Sequence, residues 1–299
     1  MQTSQHVRGI LFLVAGAALI CAPALSGAII SDGLVLNWDA ATPGSSPDDS
    51  WVTNAEGTGT ATWGTGRVEP PVGDNNPPDY LTGNRSAFPG ITQSYQWNDD
   101  ADGGDGFNTG SFNNSVPDAS PVSVEIWMKP AVLDGTGKLV LEDGAAGDGM
   151  SFFLSGGDTV QFNVGGDTNT VVLTADAPLT NADISDFIQV VGVADTNQNK
   201  IRLYVNGSRA TTEITSAKAD DWGGGNPAGL GWASSGTAGD ESALVPYLGE
   251  IAIVRVYGDK ALTDSEVTQN YTAVTTPEPG LVALFTAALA VALLGRRRV

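Results

Sequence analysis

Phe187–Gly207 reads FIQVVGVADTNQNKIRLYVNG, and this stretch decides the fold class. Phe187–Ala194 is an apolar run of strand length, the pattern of a strand covered on both faces. Asp195–Lys200 is a polar turn. Ile201-Arg202-Leu203-Tyr204-Val205 then alternates, as a strand with one buried face does. Asn206-Gly207 follows with the strongest short hairpin signal, because both residues tolerate positive φ.

The same pattern continues outward from there. Val122, Val124, Ile126 and Met128 share one face of a strand bracketed by Pro121 and Pro130. Ser151–Leu154 and Thr159–Val164 flank Gly156-Gly157-Asp158, a second hairpin signal. Leu248–Tyr257 reads as a late strand and Gly33–Asp39 as the first. Thr263 and Glu266 form a capping box that opens one short helix to about Tyr271. Residues 44–118, rich in Gly, Pro, Asn and Asp, are the least regular region. Short strand candidates stand at Ala61–Trp63 and Ser94–Trp97, and one or two strands with long loops are expected there. Together these elements predict an all-β chain, a two-sheet antiparallel sandwich with one short C-terminal helix.

Four stretches in this order resemble the LamG-like, concanavalin A-like jelly roll: Gly33–Ser45 (GLVLNWDAATPGS), Ser123–Pro130 (SVEIWMKP), Phe187–Gly207, and Leu248–Tyr271 (LGEIAIVRVYGDKALTDSEVTQNY). The resemblance implies a jelly-roll sandwich over residues 29–274 and, as often in such domains, one Ca²⁺ near a loop edge. One departure stands out. The family often carries an acidic pair after Gly-Glu-Ile in the last strand, and here those positions are Ala252 and Ile253. A site that depends on that pair lacks its carboxylates.

The two ends read as targeting segments. Residues 1–28 form a signal peptide: Arg8 supplies the positive start, Gly9–Ala22 the apolar run, and Ser26-Gly27-Ala28 small residues before a cut, with Ala22-Pro23-Ala24 as an alternative. Ile20 before Cys21 argues against lipidation. Residues 275–299 hold Pro277-Glu278-Pro279, an apolar segment over residues 280–295, and Arg296, Arg297 and Arg298. That apolar segment is near the lower length limit for a membrane-spanning helix, and terminal arginines hold such an end on the cytoplasmic side. Triplet, apolar segment and arginines in this order resemble the PEP-CTERM sorting signal of Gram-negative bacteria. The resemblance implies an exosortase-type processing enzyme as partner, transient insertion in the inner membrane, and delivery to the cell envelope or extracellular matrix. A plain C-terminal anchor is the other reading.

Composition restricts the chemistry of what lies between. The chain has 14 basic and 34 acidic residues; setting aside four basic and one acidic residue in the end segments leaves 10 against 33, a net charge of −23. Such a surface speaks against nucleic acid and anionic membranes as partners. The only histidine, His6, and the only cysteine, Cys21, lie in the signal peptide. Ser-His-Asp and Cys-His nucleophiles, His- or Cys-ligated metals and disulfides are therefore excluded from residues 29–274.

Paired carboxylates remain, since sandwiches of this shape include glycosidases. No Glu-x-Asp-x-x-Glu array occurs. Glu125 and Glu250 each stand alone on a strand, and Glu142-Asp143 would face opposite ways. Asp99, Asp100, Asp102 and Asp105, spaced by Gly103 and Gly104, are the candidate ligands for a hard cation such as Ca²⁺, against the plainer reading of a solvated acidic loop. Tyr95, Trp97, Trp222 and Trp232 are the candidate platforms for sugar rings, against the alternative that Trp97 and Trp232 fill the core. The functional expectation is an exported, non-catalytic domain acting in glycan binding, adhesion or matrix structure. A carboxylate-only polysaccharide hydrolase and a purely structural matrix protein are the alternatives.

Overall fold

The computed structural model describes residues 28–277 except 48–49, 54–56, 58–60, 65–76, 101–102, 105, 113–114, 118, 145–148, 157, 166–171, 211–212, 217–221, 223–224 and 233–244. In chain order its strands are β1 (Leu34–Asp39), β2 (Ser50–Val52), β3 (Thr62–Gly64), β4 (Asp79–Leu81), β5 (Ser94–Trp97), β6 (Asp99–Asp100), β7 (Gly103–Gly104), β8 (Phe107–Thr109), β9 (Val122–Pro130) and β10 (Lys138–Asp143). They continue as β11 (Met150–Ser155), β12 (Thr159–Gly165), β13 (Val172–Pro178), β14 (Ile188–Asp195), β15 (Lys200–Val205), β16 (Ser208–Arg209), β17 (Ile214–Thr215), β18 (Ala228–Leu230), β19 (Val245–Pro246) and β20 (Gly249–Gly258), and one helix, α1 (Asp264–Thr275), follows.

The strands form two large sheets and the small β6–β7 hairpin. Sheet A runs β16-β15-β14-β9-β20-β5-β4, with β1 also on β20 and β17 on β15. Sheet B runs β13-β12-β11-β10-β18-β8-β3-β2, with β19 added parallel to β10. Long, apolar β9, β14 and β20 lie side by side at the centre of sheet A, because each has something to bury on both faces.

The alternation read in β9 holds: Val122, Val124, Ile126 and Met128 all enter the core between the sheets. Sheet B answers with Met150, Phe152 and Leu154 from β11 and Val160, Phe162 and Val164 from β12. Phe152 and Phe162 meet at 4.8 Å between ring centroids. Gly192 of β14 lies opposite them, and a Cβ there would come within 2.6 Å of both rings. A side chain at 192 would force the sheets apart, which dense cores do not accommodate.

The turn signals are also realised. Asp158 has φ 54° between β11 and β12, and Asn206 and Gly207 have φ 51° and 76° after β15. The apolar run of β14 is covered on both sides as its composition requires. Val190 faces the main core, whereas Val191 and Val193 join a second cluster with Leu34, Tyr204, Tyr257, Leu262 and Val267 under helix α1.

Two expectations are corrected. Helix α1 opens on the Thr263–Glu266 capping box but runs to Thr275, beyond Tyr271. Val274 is buried with Ile91, Trp127, Phe187, Ala252 and Ile253, and Tyr271 stacks on Trp127 at 5.7 Å and 7°, so packing extends the helix by a further turn. Residues 44–118 hold β2 to β8, far more than one or two strands. These pieces of two to four residues show almost no periodicity; what holds them is pairing with neighbours and the inward burial of Trp51, Trp63, Tyr95, Trp97 and Phe107.

Candidate binding surface

The carboxylates come first, because an enzyme of this composition would have to use them. Glu125 points from β9 to the outer face of sheet A and is fully buried beneath α1. Its Oε1 accepts from Trp127 Nε1 at 2.7 Å, Gln189 Nε2 at 2.9 Å and Arg255 Nη1 at 3.1 Å. Its Oε2 accepts from Asn270 Nδ2 at 2.9 Å and Tyr257 Oη at 3.3 Å. Five donors, one of them charged, satisfy a buried carboxylate and leave it no lone pair for a substrate. Burial, followed by the charge of Glu125, pushes the Tyr257 hydroxyl up from its ordinary value.

Glu250, at the start of β20, is held by Arg85 in a two-pronged pair at 2.8 and 3.0 Å and by Ser94 Oγ at 2.6 Å. It anchors the 82–91 segment to sheet A. Glu142 and Asp143 at the end of β10 do face opposite ways. Glu142 is in register with Ser151 and Gly229 on the outer face of sheet B. Asp143 turns toward the core edge, where its Oδ1 accepts from the Phe112 N–H at 3.0 Å. Burial pushes the Asp143 carboxyl up to about 7, against the bonds from Phe112 and Ser111 that pull it down, and its Oδ2 is buried without a hydrogen-bond partner among the described residues. Ala252 and Ile253 are both buried outside the core, since a bulge between Ile251 and Ile253 turns two consecutive side chains to the α1 side.

Of the four aromatic candidates, the structure places three in the interior. Tyr95, Trp97 and Trp222 are at most 1 % exposed. Tyr95 and Trp97, two apart on β5, share its inward face and pack edge-on against Phe107. Trp222 donates to the Ser120 carbonyl at 2.8 Å. None of the three offers a ring face to solvent, and for Tyr95 and Trp97 the reason is that the second sheet covers the face of β5 they share. Trp232 is different. It is half-buried and packs over Leu139 and Phe153, a cluster separate from the core on the outer face of sheet B.

That face also carries a row no sequence pattern displays. Ser50, Gly64, Asn108, Gly229, Glu142, Ser151, Asn163 and Thr174 lie opposite one another in turn, from β2 to β13. Thr174 Oγ1 donates to Asn163 Oδ1 at 2.7 Å and Asn163 Nδ2 to Ser151 Oγ at 3.4 Å. The centre of the row, Glu142 to Asn163, is buried; its ends at Thr174 and at Ser50, Gly64 and Asn108 reach solvent. On this face the polar groups that reach solvent, at Thr174, Ser50 and Asn108, and the half-buried indole of Trp232 are of the kinds that meet a sugar's hydroxyls and its apolar ring face.

The cation candidates are only partly placed. The backbones of Asp99 and Asp100 pair with Gly104 and Gly103 in the β6–β7 hairpin, while Asp102 and Asp105 lie outside the described residues. No group of three or more His, Cys, Asp or Glu suited to a metal stands among the described residues. Pro277 is exposed two residues after α1; Glu278, Pro279, Arg296, Arg297, Arg298 and the signal peptide lie outside the described residues. Among the described residues no helix is long and apolar enough to cross a membrane.

Comparison with known proteins agrees with the architecture. The family model described as the Concanavalin A-like lectin/glucanases superfamily matches residues 101–268. No curated protein matches the chain. Among solved structures, the botulinum neurotoxin DC binding domain, in complex with rat synaptotagmin II, is similar with a TM-score of 0.56 and 12% identity over 82% of this chain and 52% of that one. The botulinum neurotoxin serotype D/C VPI 5993 binding domain gives 0.57 and 12% over 82% and 53%. A botulinum neurotoxin type C structure, described as entering cells by interaction with two ganglioside molecules, gives 0.56 and 12% over 82% and 52%. The chain spans about half the length of these structures, and at such identity the likeness is one of fold alone.

Proposed function

This chain belongs to the concanavalin A-like lectin/glucanases superfamily, and on that basis we propose that it is an exported, non-catalytic glycan-binding domain with an adhesive or matrix role at the cell envelope. The observation that carries the reading is the outer face of sheet B. There Trp232 covers Leu139 and Phe153 on the same face as a transverse row whose solvent-reaching ends carry Thr174, Ser50 and Asn108. The neighbour described by its two gangliosides supports a glycan as the ligand class. The hydrolase alternative has less support. Glu125 is saturated by donors, Glu250 is paired with Arg85, and Glu142 and Asp143 diverge from one strand. A bound Ca²⁺, with Asp99, Asp100, Asp102 and Asp105 as its ligands, belongs to the same reading.

The deciding experiment is a glycan array with the purified protein, run with millimolar Ca²⁺ and with excess chelator. Trp232→Ala is expected to weaken the strongest signals about tenfold, the equivalent of about 1.4 kcal/mol, at a temperature where circular dichroism shows the variant still folded despite the packing on Leu139 and Phe153 that it loses. Absence of signal on every glycan would favour the purely structural matrix role. Signals indifferent to Trp232→Ala would move the site off this face, and signals indifferent to chelator would remove Ca²⁺ from binding.

Export rests on the two end segments. Removal of residues near 1–28 and of everything after Pro279, by an exosortase-type enzyme acting on a membrane-inserted tail, is the expected maturation. Intact-mass measurement on protein from the native host checks it. A full-length C-terminus held in the inner membrane would instead mark a plain anchor.

A further inference from the structure

The two ends of the domain meet. Ile30 N–H donates to Asn270 Oδ1 at 2.8 Å, and Gln269 Nε2 donates to the Ala28 carbonyl at 2.8 Å. Lys260 Nζ bridges Asp32 at 2.8 Å and Glu266 at 2.7 Å, joining the start of the domain to the first turn of α1. Ile29 and Ile30 pack on the cluster that includes Leu262 and Val267. Asn270 is the hub: wholly buried, it takes the Ile30 proton on its oxygen and gives its own to Glu125 and Tyr257. Without the Ile30 N–H its carbonyl would be a buried acceptor left unmade.

We infer that residues 28–32 are a strap that holds helix α1 on sheet A, so that the N-terminus of the domain decides how firmly its C-terminal helix is docked. A signal-peptide cut after Ala24 leaves the strap whole; a cut after Ala28 removes the carbonyl that Gln269 holds but leaves Ile30 an amide N–H for Asn270 and leaves Asp32 for Lys260. Its consequence for the tail rests on the export reading. Docked, α1 ends at Thr275, and Pro277 follows after one residue. Undocked, the 12 residues of α1 become leash, about 40 Å if extended, and the triplet reaches further from the folded body.

Hydrogen exchange on the full chain tests the strap. Ile30→Pro removes the donor, and Gln269→Ala with Lys260→Met removes the outer contacts without touching a buried group. Amides of residues 264–275 are expected to exchange about tenfold faster in each, the equivalent of a hydrogen bond or so, while β9 and β14 keep their protection. Unchanged helix protection in the Gln269→Ala/Lys260→Met protein would overturn the inference. So would loss in β9 and β14 in step with the helix, which would mean that no separate unit exists. In the native host, C-terminal trimming followed by intact mass should quicken in Ile30→Pro; a loosened helix with an unchanged trimming rate would refute the leash. A chain that is never trimmed would refute C-terminal processing, and with it the leash, and leave the exchange result standing.

Discussion

Glu125→Ala is expected to cost the domain about 3–5 kcal/mol of unfolding free energy, the range for removing one partner of a buried ion pair. Arg255 is 3 % exposed and would keep its charge beneath α1, where Asn37 Oδ1 accepts from its Nε at 3.2 Å. Trp127, Gln189, Tyr257 and Asn270 would each lose an acceptor in the same place. Urea unfolding at neutral pH measures the change. Replacing both partners, Glu125→Met with Arg255→Met, should recover much of the loss, because no uncompensated charge is then buried. A single-variant loss below about 1 kcal/mol, the level of an exposed pair, would show that this centre is wetter than its burial implies.

Asp143→Asn is expected to stabilise the domain, and only at the higher pH values. Burial raises the folded-state pKa from 3.8 to about 7. Below pH 3.8 the group is protonated in both states and contributes nothing. Between about 4 and 7 the unfolded chain releases the proton while the folded chain keeps it, so ionisation favours unfolding more with each pH unit. Above about 7 the penalty is complete, on the order of 4 kcal/mol at 1.36 kcal/mol per unit. Asparagine keeps an oxygen for the Phe112 N–H and removes the titration. Urea unfolding of both proteins in excess chelator should therefore give a difference near zero at pH 4 that opens to several kcal/mol at pH 8. A difference that is flat with pH would mean that Asp143 ionises as freely folded as unfolded.

Legibility followed the range of each interaction. The faces of β9, the double-sided burial of β14 and the opposite aim of Glu142 and Asp143 follow from a period of two, which any five residues display. The capping box and the Asn206-Gly207 turn are equally local, since φ at those positions is set by the residues themselves. The strands between Ser50 and Thr109 were mostly illegible because pieces of three residues have no period to read. Ser94, as small and polar as any loop residue, is buried where Glu250, itself held by Arg85, meets it from far along the chain.

The sandwich class, the start of α1 and the absence of His and Cys chemistry from residues 29–274 are already set by periodicity, capping and composition, which need no partner. The placing of the aromatics came from packing between distant segments. Tyr95, Trp97 and Trp222 fell inside and Trp232 outside, a choice made by which face the opposing sheet covers. The same packing gathered five donors around Glu125 from four separate segments and lined up the row from Ser50 to Thr174. Those juxtapositions depend on register between strands far apart in the chain, and register is set by the packing of the whole.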